Sequence, residues 1–192
     1  MQPRTTPPTP PNEDDDIALM LRARDDDRDA FAQLVERHSK KILNYFLRTG
    51  VQYDAEDLVQ LTFIKLHAYR RNYKPAAKFT TFLFLIARQV WIDELRRRKR
   101  RERLEQEMTL HTQTFEMDIE EPARPDTLDV AALLDTLDEK HRSVIELAIF
   151  QGLPYPEVAA ILRIPCGTVK TRMFHAMKTL RKKCGETSGG SE

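Results

Sequence analysis

Apolar positions recur at helical spacing along most of the chain, and no stretch alternates in the manner of a half-buried strand. From about Arg28 to Arg48 the face Phe31, Leu34, Val35, His38, Ile42, Tyr45, Phe46 predicts a long helix. Asp25, Asp26 and Asp27 precede it, as the positive end of a helix dipole favours. His38 on that face reads as a hydrogen-bonded core histidine. Asp54-Ala55-Glu56-Asp57 opens a second helix with Val59, Phe63 and Leu66 inward. A further stripe, Asp57, Gln60, Leu61 and Ile64, has the same spacing. It is either a docking surface facing water or core beneath another helix, and spacing does not separate the two. Thr80 to Arg103 forms the longest helix, apolar nearly all round through Phe82, Leu83, Phe84, Leu85, Ile86, Val90, Trp91, Ile92 and Leu95 before it turns into Arg96–Arg103.

A second helical unit begins with Leu133, Leu134 and Leu137. Asp138 is placed to cap a helix with the inner face His141, Val144, Ile145 and Ala148, and Gly152 closes it. Tyr155, Val158, Ala159 and Leu162 share one side of a short helix, which Arg163-Ile164-Pro165-Cys166-Gly167 interrupts. The helix after that break buries Val169, Met173, Ala176 and Leu180. The chain therefore reads as all-α: two small helical domains, 15–104 and 128–185, joined by a flexible acidic linker over 105–127 that lacks periodicity and holds Pro122 and Pro125. The second domain is a four-helix unit ending in a helix-turn-helix. Residues 1–14 and 186–192 read as disordered tails. The glycines outside the tails, Gly50, Gly152, Gly167 and Gly185, fall at expected helix boundaries.

Composition changes this picture only through charge order. The net charge is +1, but Arg88 and Arg96–Arg103 form one basic block, and no acidic residue lies between Arg163 and Lys183. Glu105, Glu107, Glu116, Asp118, Glu120, Glu121, Asp126 and Asp129 lie between the two. Two anion-binding surfaces joined by an anion-repelling tether follow from that order. The longest apolar run, Phe82 to Ala87, is too short to span a bilayer, and no signal peptide is evident, so a cytoplasmic protein is expected. Cys166 and Cys184 on one helix would sit roughly 27 Å apart, beyond disulfide reach. No His or Cys stands at metal-ligand spacing, so no metal or cofactor is expected.

Two short helices with a tight turn, the second one basic, predict a reader of the DNA major groove. Its outer side carries Lys170, Thr171, Phe174, His175 and Lys178, and Arg163, Thr168 and Arg172 join the candidate surface. Before the long helix, Tyr69, Arg70, Arg71, Tyr73, Lys74, Lys78 and Phe79 mix rings with cations, the combination that stacks bases and tracks phosphates of single strands. Stacking is expected of the loop aromatics, Tyr73 above all. A nuclease would need clustered carboxylates by the basic block, where only Asp93 and Glu94 occur, pointing apart. The same basic motif would also serve a dimeric helix-turn-helix regulator or, without DNA, a protein-interaction module.

AEDLVQLTFIKLH from Ala55, KFTTFLFLIARQVWIDELRR from Lys78, and GLPYPEVAAILRIPCGTVKTRMFHAMKTLR from Gly152 resemble the extracytoplasmic-function (ECF) type of sigma factor within the sigma-seventy family. The resemblance runs from about Ile17 to Lys183. It implies a bacterial initiation factor that binds core RNA polymerase and promoter DNA, is monomeric when free, and has an anti-sigma partner. It implies polymerase docking by Asp57, Leu58, Gln60, Leu61, Phe63 and Ile64, although such factors usually have an acid where Leu61 stands. It assigns the melted downstream (minus-ten) element to Tyr73, Lys74, Lys78, Phe79, Phe82, Arg88, Gln89, Arg96 and Arg97, with Phe82 where Trp and Gln89 where Asn are common. The upstream (minus-thirty-five) element falls to Arg163, Thr168, Lys170, Thr171, Arg172, Phe174, His175 and Lys178. There His175 and Met177 replace arginines often found in the family.

Overall fold

The computed structural model describes residues 13–51, 54–109 and 130–188. Its elements are α1 (Glu13–Arg24), α2 (Arg28–Arg48), α3 (Ala55–Tyr69) with a 3-10 turn at Arg70–Asn72, and α4 (Phe79–Thr109). There follow α5 (Val130–Asp135), α6 (Glu139–Ile145) running into a π-helical turn at Glu146–Phe150, α7 (Tyr155–Leu162) and α8 (Cys166–Ser188). No strand occurs among the described residues.

Helix α2 begins where the acidic cluster ends, because the Asp27 side chain accepts a hydrogen bond from Ala30 N at 3.0 Å. Its face Leu34, Ile42, Tyr45 and Phe46 packs into a core with Leu66 of α3 and Phe79, Leu83 and Phe84 of α4. Tyr45 meets Phe46 and Phe84 edge-on, with ring centroids 5.4 and 5.5 Å apart. Burial pushes the Tyr45 phenol well above its ordinary basicity. Helix α1, which the periodicity does not single out, covers this bundle with Leu19, Met20 and Ala23. It also supplies the partner of His38: buried Asp16 Oδ2 lies 2.8 Å from His38 Nε2, and Arg37 reaches Asp16 Oδ1 at 3.1 Å. The histidine is structural, as expected.

In the second bundle α6 and α7 pack on α8 through Val144, Ile145, Leu147, Val158, Ile161, Leu162, Val169, Met173 and Ala176. Asp138 caps α6, accepting from His141 N at 2.9 Å. Two helix ends differ from expectation. Helix α4 continues through the start of the expected linker to Thr109, and α8 continues past Gly185 to Ser188. Arg, Glu, Leu, Gln and Met propagate a helix without any apolar face, so loss of periodicity at Glu105 is not a stop signal. The rest of the expected linker, 110–127, lies outside the described residues.

The two bundles meet along a seam. Helix α7 packs on the start of α4, and the π-turn packs on the end of α2.

Candidate nucleic-acid interface

The turn between α7 and α8 is made by Arg163, whose left-handed backbone (φ 54°) closes Ile164 N onto Ala159 O at 3.1 Å. Gly167 does not supply the unusual angle; it lies in the first turn of α8, and a Cβ there would meet nothing within 4 Å. Pro165 stands just before α8, its carbonyl accepting from Thr168 N and Val169 N. Burial of Val169, Met173 and Ala176 turns Lys170, Thr171, Phe174, His175 and Lys178 to solvent. Phe174 is 66% exposed, between Lys170 and Lys178 one turn away on either side. Arg163 is exposed, and Thr168 and Arg172 are half-buried at the edge of this face. An exposed helix face with cations, a hydroxyl and a ring, and no carboxylate between Arg163 and Lys183, has the chemistry to meet phosphates and the base edges of a major groove.

The aromatic-basic loop folds into a crevice of about 610 Å³ lined by Arg24, Tyr69, Arg71, Tyr73, Lys74 and Phe82, among others. The Phe82 ring lies 5.5 Å from Tyr69 and 5.2 Å from Tyr73. Two expectations need correction here. Tyr73 is only 3% exposed and forms the inner wall of the crevice. Phe79 is fully buried in the core against His38 (5.2 Å) and does not line the crevice. Neither presents a ring face to solvent; Tyr69, at 47% exposure, does. Arg70 and Arg71 grip Asp26 at 2.6 and 3.0 Å, and those hydrogen bonds hold the Asp26 carboxyl below its ordinary value. Lys74 and Lys78 are exposed.

Farther along α4 the basic block is threaded by two carboxylates. Asp93 accepts from Lys65 Nζ and Gln89 Nε2, both at 2.9 Å, and has Arg96 at 3.7 Å; the Lys65 bond leads in holding its carboxyl low. Glu94, buried, draws in Arg97, Arg98 and Arg101 at 3.6, 3.0 and 3.5 Å. Arg96 and Arg97 remain well exposed, so their ion pairs are the weak kind that a phosphate can displace. Arg88 is half-buried, and burial, with Arg163 and Arg172 nearby, lowers its basicity. The two candidate DNA surfaces thus approach each other at the seam. No group of three or more potential metal ligands occurs among the described residues.

A second concave surface, about 460 Å³, runs between α2 and α3, lined by Phe31, Val35, Val59, Gln60, Ile64 and His67, among others. Ile64 is 62% exposed, and Asp57 and Gln60 are exposed beside half-buried Leu61, which places that stripe in water. Leu58 and Phe63, expected in the same docking set, are buried (3% and 6%); Phe63 still lines this groove, and Leu58 does not.

The profile of the family Sigma-70 region 2 matches residues 34–101, and that of Sigma-70, region 4 matches residues 127–180. The chain is 31% identical over 168 residues to the ECF RNA polymerase sigma factor SigW of Bacillus subtilis, covering 82% of this chain and 90% of that one. It is 32% identical over 174 residues to the ECF RNA polymerase sigma factor SigF of Caulobacter vibrioides, covering 90% and 95%. Among solved structures it resembles CnrH in complex with the cytosolic domain of CnrY, with a TM-score of 0.67, 27% identity and coverage of 90% and 98%. It also resembles the sigma factor RpoE bound to the anti-sigma factor NepR from Bartonella quintana, with a TM-score of 0.65, 25% identity and coverage of 79% and 94%.

Proposed function

We propose residue roles from one premise: the chain belongs to the sigma-70 family of RNA polymerase sigma factors and, within it, to the ECF type. Such factors bind core RNA polymerase and direct it to promoters, and this chain does the same; a dimeric regulator independent of polymerase is not favoured. The exposed, acid-free face of α8 carries the reading. Lys170 and Lys178 hold phosphates of the upstream element, while Thr171, Phe174 and His175 meet base edges. The crevice at Tyr69, Tyr73, Lys74 and Phe82 receives a base from the melted downstream strand, with Arg96 and Arg97 tracking its backbone. Ile64, Gln60 and Asp57 dock on the polymerase, with Phe63 at the floor of the groove beside them and buried Leu58 positioning α3.

These roles divide between residues 15–104 and 128–185. The factor adds no catalysis of its own; polymerase supplies the chemistry. It works in the cytoplasm, where core polymerase acts, and is a monomer when free. No described helix is long and apolar enough to cross a membrane. The resemblance to RpoE bound to the anti-sigma factor NepR supports an anti-sigma partner for this chain as well. Run-off transcription with core polymerase over a promoter library tests the reading. Promoter-dependent transcripts are expected, and their absence on every template refutes it.

A further inference from the structure

Gln89 stands on the side of α4 that the candidate downstream readers share. It follows Phe82, which lines the crevice, by seven residues and precedes Arg96 by seven, so the three lie along one face at intervals of about 10 Å. Gln89 and Arg96 are both exposed there. The Gln89 amide is not free to turn over. Its Nε2 donates to Asp93 Oδ1 at 2.9 Å, while Lys65 Nζ, reaching across from α3, donates to Asp93 Oδ2 at 2.9 Å. Arg96 Nη1 lies 3.7 Å from Oδ1. The hydrogen bond from Lys65 leads in holding the Asp93 carboxyl below its ordinary value, so the group is a carboxylate and only accepts. An amide beside a carboxylate turns its nitrogen towards it, which leaves the amide oxygen directed away from Asp93. The two edges of an amide have opposite hydrogen-bonding character, so this choice decides which bases Gln89 suits.

Given the promoter-reading role above, on which this depends, we propose that Asp93 is a positioning residue for base selection. By holding the Gln89 nitrogen it presents the Gln89 oxygen to the downstream element, and so selects a base that carries an exocyclic amino group. The family resemblance assigns Gln89 to that element, and its place between Phe82 and Arg96 agrees. Adenine and cytosine offer the amino group at N6 and N4; guanine and thymine place O6 and O4 there, where acceptor would face acceptor. Lys65 is the second half of the device. As a donor only, it takes one oxygen of residue 93 and thereby decides what remains for Gln89. A mere strut between α3 and α4 would need the Lys65 contact but not the one to Gln89. The strut itself is weak, since the Lys65 and Asp93 side chains are 42% and 38% exposed, so the fold survives its loss.

The test uses the full-length chain with core polymerase, on templates randomised across the downstream element, the transcribed templates being read by sequencing. For the parent chain one position is expected to favour adenine or cytosine about tenfold over guanine or thymine, the scale that one hydrogen bond supplies. Gln89→Ala flattens that position alone. In Asp93→Asn, Lys65 claims the single oxygen of the new amide, whose nitrogen is left for Gln89; Gln89 then turns over and presents Nε2. Preference at the same position should invert towards guanine or thymine, while the other positions and the melting temperature hold. In the Lys65→Met, Asp93→Asn double variant that bias is gone, and preference is lost rather than inverted. An unchanged profile in Asp93→Asn, or an even loss of transcription over all sequences, would overturn the positioning role. A profile that Gln89→Ala leaves untouched would overturn it as well. Absence of transcripts from the parent chain on every template would instead refute the promoter reading, so the failures are distinct.

Discussion

Glu146 is a carboxyl at the seam between the bundles with no solvent exposure, and its protonation should be visible in stability. Burial pushes its pKa up from 4.5 to about 7, although Gln151 Nε2 at 2.7 Å and Arg48 at 3.5 Å both favour the charged form. Its other oxygen, Oε2, is buried without a hydrogen-bond partner among the described residues. Below pH 4.5 the group is neutral in both folded and unfolded chains and costs nothing. Between pH 4.5 and about 7 the unfolded chain ionises while the folded one keeps its proton, so stability falls as pH rises and levels off above about 7. At 1.36 kcal/mol per unit the full effect is on the order of 3 kcal/mol. Asp26, Asp27, Asp93 and Asp138 have pKa values lowered from 3.8, so their contribution has the opposite sign and lies below this window. Urea denaturation of the parent chain and Glu146→Gln, followed by helical circular dichroism between about pH 5 and pH 8, isolates the group. The parent should lose stability relative to the variant across that range. Parallel curves would refute the argument that burial outweighs Arg48 and Gln151.

Lys170→Ala should weaken retention of duplex DNA by the polymerase complex without changing sequence preference, and reduce the slope of log affinity against log salt by about 1. Titration at several salt concentrations checks it. Ile64→Asp should weaken association with core polymerase by about tenfold or more while changing stability by less than about 0.5 kcal/mol, because the side chain faces water; interferometry and a melting curve read the two effects separately. Leu66→Ala, in the core of the same helix, should cost about 2–5 kcal/mol in a denaturant titration. Asp138→Ala should cost about 1 kcal/mol, read as a lower melting temperature, through loss of the α6 cap.

Where one face of a helix meets a single core, spacing was enough to place it. The Phe31–Phe46 stripe, the acidic cluster ahead of it and the acid-free side of α8 all follow from side-chain period and charge alone. Helix α1 was illegible because Ile17, Leu19, Met20, Leu21 and Ala23 crowd together beside an acidic run and define no clear stripe. Tyr73 and Phe79 were misplaced for a related reason: a short loop has no period, so nothing local says which ring turns inward. The stripe at Leu61 and Ile64 stayed open because its cover, if any, would come from another element. The hydrogen bond that Thr81 donates to Glu157 across the seam is the extreme case. Its two ends lie 76 residues apart in sequence, and no local pattern announces such a pair.

The length of α4 has a mechanical consequence. One unbroken rod carries both Phe82 at the crevice and Arg96 at the head of the basic block, about 21 Å apart at 1.5 Å per residue. For the roles proposed above it would work as a ruler, fixing how far along a strand the backbone is gripped from where a base is captured. A single residue inserted between Leu95 and Arg96 would swing the basic block by about 100° and misalign the grip. Seven inserted residues, close to two full turns, would return the block to nearly its original side, about 10 Å farther along the strand.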